Sequence, residues 1–76
     1  MSGNLFNWTF QDADKFLKAH GFYFHHTRGS HYFYYGFVKS ILRQVCVPFH
    51  GQKAIKPKTM KSIIAQSGID KEEWFK

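Results

Sequence analysis

Apolar positions recur at helical spacing near both ends of the chain and at strand spacing in the aromatic-rich stretch between them. After Thr9, the residues Phe10, Ala13, Phe16 and Leu17 fall three and four apart on one stripe, and Gly21 stands where a helix ends in a left-handed residue. The spacing predicts a helix over residues 10–20 with Thr9 as its N-cap. Residues 22–27 and 31–38 are rich in aromatics and flank Arg28-Gly29-Ser30, a turn in which glycine supplies a positive φ, so they predict a hairpin. A connection at Lys39-Ser40 leads into a third antiparallel strand over 41–47, whose Ile, Leu and Val run stops at Pro48. Beyond a basic loop, Pro57 and Thr59 open a second helix, with Met60, Ile63 and Ile64 as its apolar stripe and Gly68 as its end. Asp70 and Glu73 have capping-box spacing, which predicts a last helical turn that docks Trp74 and Phe75.

The order α-β-β-β-α gives an α+β fold, a three-stranded antiparallel meander with helices on one face, as in double-stranded-RNA-binding domains. A length of 76 residues leaves room for one core, so a single domain over 1–76 is expected. Aromatic residues make up 20% of the chain, and each buries roughly 150–250 Å², which offsets the shortness. Alternation puts His31, Phe33, Tyr35 and Phe37 on one face of the second strand and Tyr32 and Tyr34 on the other. Tyr32, Tyr34 and Tyr35 are candidates for stacking against unpaired bases, against a reading as core and sheet-surface packing; two helices cannot bury both sets, so either face can serve a partner.

Charge narrows the partner by its placement. The formal net charge is +6, and no acidic residue occurs between Lys15 and Lys61, a span that holds Lys18, Arg28, Lys39, Arg43, Lys53, Lys56 and Lys58 as well. One continuous basic surface toward a nucleic acid is the reading this favours, against a merely solvated basic face. Lysines at the start of the second helix are unfavourable against the helix dipole, which argues that they meet phosphate. No predicted helix pairs a basic face with a long apolar one, and no apolar run approaches the length of a membrane span, so no membrane role is expected. Cys46 is the single cysteine, which excludes an intramolecular disulfide and fits a reducing, cytoplasmic setting; it reads as a small buried hydrophobe. Five scattered histidines with no cysteine pair do not make a zinc ligand set, and no cofactor is implied.

The residue types that remain are those of acid–base chemistry. Gly29 permits a tight turn and Ser30 can bond the local backbone, which delivers His31 in a fixed direction at the first position of a strand. From there a neutral imidazole can take the proton of a ribose 2′-hydroxyl, with Arg28, Lys39 or Arg43 stabilising the charge on phosphorus. The more ordinary role of a lone histidine in an aromatic strand is packing or surface exposure. His50 is an auxiliary candidate, as second proton donor, phosphate ligand or loop-orienting group. His25 and His26 read as spectators, one of them facing outward by alternation.

Gly21-Phe22, Arg28-Gly29-Ser30-His31, Val47-Pro48-Phe49-His50 and the run from Thr59-Met60 to Gly68-Ile69, taken in order, resemble the HicA toxin family over about residues 10–75. The resemblance implies a small mRNA interferase with a double-stranded-RNA-binding-like fold, held inactive by a HicB antitoxin. It also implies that the family's catalytic histidine, the one in its Gly-Ser-His motif, is His31, while Arg28, Lys39, Arg43, Lys53, Lys56, Lys58 and Lys61 are the candidate RNA contacts. The residue before the helix-opening threonine, commonly glycine in the family, is Lys58 here. The alternatives to a metal-independent endoribonuclease are a non-catalytic basic RNA-binding module of the same fold and a degenerate toxin that only binds its antitoxin.

Overall fold

The computed structural model describes residues 7–75. Helix α1 (Phe10–Ala19) leads into strands β1 (Tyr23–Arg28), β2 (His31–Val38) and β3 (Ile41–Pro48), followed by helices α2 (Pro57–Ser67) and α3 (Lys71–Trp74). The strands form one antiparallel sheet in the order β1-β2-β3. Both the α-β-β-β-α order and the α+β class are those the sequence predicts. The third strand runs one residue further than expected, to Pro48, which pairs with His31. Proline has no N–H to offer a ladder, so it fits the last place on an edge strand.

Local chemistry sets these boundaries. Thr9 caps α1 through a full capping box: its hydroxyl accepts the Asp12 N–H at 3.3 Å, and the Asp12 carboxylate accepts the Thr9 N–H at 3.0 Å. The β2–β3 turn holds Lys39 at φ 53° and Ser40 at φ 67°, the double left-handed conformation of a two-residue hairpin, here without glycine. Lys58 is a helical residue in the first turn of α2, so the position that is commonly glycine in the resembling family needs no glycine here. At α3 the predicted capping box does not form: the Asp70 side chain makes no capping bond, and its carbonyl instead accepts the Glu73 N–H at 3.0 Å.

One face of the sheet carries the core. Tyr34, Val45 and Val47 pack with Ala13 and Leu17 of α1, Met60 and Ile63 of α2, and Trp74 of α3. Trp74 stacks on Phe16 at 3.8 Å between ring centroids and lies 5.4 Å from Trp8, which docks the C-terminal turn as expected. The Tyr34 hydroxyl donates to the Asp14 carboxylate at 2.5 Å. Burial first, and that bond second, hold the phenol far above the ordinary tyrosine range.

Among the described residues no helix covers the other face of the sheet, and of the three tyrosines expected to stack on bases only Tyr35 lies on it, Tyr34 being buried in the core and Tyr32 packed against that core. The residues of this open face on β2 are His31, Phe33, Tyr35 and Phe37, as strand alternation requires. On β1 the register shifts between Phe24 and His26, a bulge that overrides the expected alternation of the two adjacent histidines. Both rings now lie against open-face aromatics: His25 is 4.4 Å from Tyr35, and His26 stacks on Phe33 at 4.6 Å.

Candidate functional site

His31 is exposed and starts the central strand, with Arg28 opposite it on β1 and Pro48 opposite it on β3. Gly29, at φ 58°, makes the turn that returns the chain directly onto Arg28. The Ser30 carbonyl accepts the Phe49 N–H at 2.8 Å, which ties this turn to the segment leaving β3. Phe49 is held further by ring contacts to Phe10 at 5.0 Å and Tyr32 at 5.8 Å, so His50 follows an anchored residue.

The segment from Gly51 to Lys56 is pinned from its other side. Ile55 donates its N–H to the Trp8 carbonyl at 2.6 Å, and Ala54 bridges Thr9. Between this segment, β3 and α2 lies a groove of about 610 Å³ into which His31, His50, Lys53 and Lys56 are brought together. No acidic side chain lines it. Lys56 is also the N-cap of α2 and gives no side-chain cap, and the first turn of that helix holds no acid. The positive end of the helix dipole therefore adds to the two lysines.

The helix wall of the groove is polar by design of its spacing. Thr59, Ser62 and Gln66 fall three and four apart and line the groove, while Met60, Ile63, Ile64 and Ser67 are buried behind them. Gln66 joins wall to sheet: its side-chain oxygen accepts the Cys46 N–H of the β3 edge at 3.0 Å, and its amide donates to the Ser62 hydroxyl at 3.1 Å. The Gln66 contact satisfies an edge-strand donor that would otherwise be left open. The sequence marked Thr59 only as a helix-opening residue and Ser62 and Gln66 not at all, although their polar stripe opposite the apolar one was the available signal. Cys46, expected as a small buried hydrophobe, is only half-buried and lines the groove; burial pushes its thiol up and keeps it protonated.

The remaining predicted residues stand elsewhere. Arg28 flanks His31 across the strand pair, and Ser30 is exposed in the turn. Lys39 sits in the turn at the opposite end of β2, whose span from His31 to Val38 is about 23 Å by strand geometry. Arg43 is half-buried with its guanidinium against Gly68 at the end of α2, where a Cβ would come within 2.6 Å of its Nε. Its charge there suits the negative end of that helix. Lys58 and Lys61 are exposed on α2 outside the groove lining. Among the described residues no three His, Cys, Asp or Glu side chains converge as they would around a metal ion, and no helix is long and apolar enough to cross a membrane.

No curated protein and no solved structure matches the chain. A family model described as the HicA toxin of bacterial toxin-antitoxin matches residues 10–69, a span that holds His31, the whole sheet, the groove and the helix wall. With most of its length so matched, the chain belongs to the HicA toxin family of bacterial toxin–antitoxin systems.

Proposed function

We propose that this chain is the toxin of a type II toxin–antitoxin pair, a metal-independent endoribonuclease that cuts mRNA in the cytoplasm through His31 and is silenced by a HicB-type antitoxin. The observation that carries this reading is the opening of the His31 side chain onto an acid-free groove shared with His50, Lys53 and Lys56. A phosphodiester needs both functions at one place, a group that moves protons and a positive field that holds the polyanion.

In the proposed reaction the neutral His31 imidazole takes the proton of a ribose 2′-hydroxyl as that oxygen attacks the adjacent phosphorus. The bond from phosphorus to the 5′-oxygen breaks, the leaving oxygen receives a proton, and a 2′,3′-cyclic phosphate remains. His31 or the neighbouring His50 supplies that second proton, and Ser30 holds the turn from which His31 projects. Arg28, Lys53 and Lys56 stabilise the added charge on phosphorus. Lys58 and Lys61 extend the phosphate contact along α2, whereas the positions of Lys39 and Arg43 leave them outside the chemical step. One positioned acid–base group contributes on the order of 10² to 10⁴ in rate, enough for a toxin with modest turnover. An antitoxin with an acidic surface would fit over the same groove and exclude RNA.

Cleavage of a long single-stranded RNA by wild-type and His31→Ala proteins in EDTA, with binding followed in parallel, tests the proposal. The expected result is cutting by the wild type alone, with RNA affinity kept by the variant. Binding without cutting by either protein would leave a non-catalytic basic RNA-binding module.

A further inference from the structure

The open face of the sheet is a feature that the groove chemistry does not use. Tyr23, His25, His26, Phe33, Tyr35, Phe37 and Leu42 share it, and no helix among the described residues covers it. Tyr23 is 54% exposed, Leu42 52% and Phe37 67%, although each is apolar enough to be buried if a layer were available. The β1 bulge enriches the face further, because it brings both His25 and His26 against Tyr35 and Phe33.

We infer that this face is a stacking platform for unpaired RNA bases, which leads a single strand along β2 to His31. The inference rests on the proposed ribonuclease reading and names the form of RNA that the site takes. Three observations point to nucleic acid. First, His31, Phe33, Tyr35 and Phe37 stand on one face of one strand, about 6.6 Å apart, so the row of rings ends at the histidine that opens on the groove. Second, no acidic residue lies anywhere in the sheet, while Arg28 stands at one end of the row and Lys39 at the other, where they can meet the backbone of a strand laid along it. That placement gives the distant Lys39 a partner that the groove does not. Third, flat rings flanked by cations suit every base alike, since stacking uses the π-face and phosphate contact uses charge. A regular duplex keeps its bases paired inside and has no use for such a platform.

Binding of a short oligouridine and of a blunt RNA duplex to the full chain, in a His31→Ala background that prevents cutting, tests the inference. At one fixed salt concentration, Tyr35→Ser and Phe37→Ser are each expected to weaken single-strand binding by about 5- to 150-fold and to leave duplex binding unchanged. Tyr35→Trp is expected to retain single-strand affinity, and oligouridine bearing 5-iodouridine is expected to photocrosslink to the aromatic residues of the face. Phe37 is mostly exposed, so its serine variant keeps the fold, and a thermal melt checks this. Unchanged single-strand affinity in both serine variants would overturn the inference. So would serine variants that lose antitoxin binding, or self-association in sedimentation, while RNA affinity stays intact. If wild type cuts RNA and ring removal has no effect on affinity, the inference alone fails; if the chain binds no RNA, the ribonuclease reading fails with it.

Discussion

Removing one oxygen atom from the core tests how α1 is fastened to the sheet. Tyr34 is 1% exposed, and its hydroxyl donates at 2.5 Å to Asp14, which also pairs with Lys18 at 3.2 Å. In Tyr34→Phe the ring packing stays while a bond to a charged acceptor is lost, worth about 1.5–3 kcal/mol. The Asp14 side chain is 23% exposed and keeps its lysine, so water recovers part of that loss. The expected cost is about 2 kcal/mol at neutral pH, or roughly 8–16 °C in Tm for a domain of this size. The pH dependence provides a second reading. In the unfolded chain Tyr34 ionises near the ordinary value of about 10, whereas in the fold burial and Asp14 hold it protonated well above that. The folded state then binds the proton that the unfolded state releases, so this stabilisation is fully present below pH ~10 and falls as pH rises beyond it, by about 1.4 kcal/mol per pH unit. The other tyrosines are common to both proteins and cancel. Denaturant or thermal melts of the two proteins from neutral to alkaline pH should therefore show a gap that narrows above pH ~10. Melting temperatures within about 2 °C of each other at neutral pH, with no convergence at alkaline pH, would refute the assignment of the bond as a fastener.

A Cβ at Gly36 would lie 2.7 Å from the ring of Phe22, which is itself buried, so Gly36→Ala should destabilise by about 1–3 kcal/mol in a thermal melt while leaving the groove intact. Lys53 and Lys56 line the groove, so replacing each by alanine should reduce the slope of log affinity against log salt by about 0.7 for single-stranded RNA, measured by titration at several salt concentrations.

The elements were legible because their signals are local. The stripe of Ala13, Phe16 and Leu17, the left-handed glycines Gly21 and Gly68, and the aromatic runs around Gly29 are set by spacing and by backbone freedom within a few residues. What the sequence concealed depends on register. The bulge beside His25 adds one residue to β1 and reverses the facing of its neighbour, and no composition signal announces it. Arg43 was an apparent phosphate ligand by charge, but it shares strand parity with Val45 and Val47 and is half-buried against Gly68. Parity was the clue, and charge obscured it. Lys39 looked near His31 in sequence, yet a strand keeps eight residues extended and carries it to the far end of the sheet. The groove itself was half visible: His31, His50, Lys53 and Lys56 stood out by type, while Thr59, Ser62 and Gln66 needed the packing of α2 against β3 to become a wall.

The most direct measurement of the central claim is the chemistry of the cut ends. A defined single-stranded RNA is incubated with the wild-type protein in EDTA, beside the same RNA carrying one 2′-deoxy nucleotide at the mapped cut site. Attack by the 2′-oxygen under His31 predicts a 2′,3′-cyclic phosphate and a 5′-hydroxyl at the break, and no cutting at the deoxy position. Cutting at the deoxy position, or ends bearing a 3′-hydroxyl and a 5′-phosphate, would contradict the account.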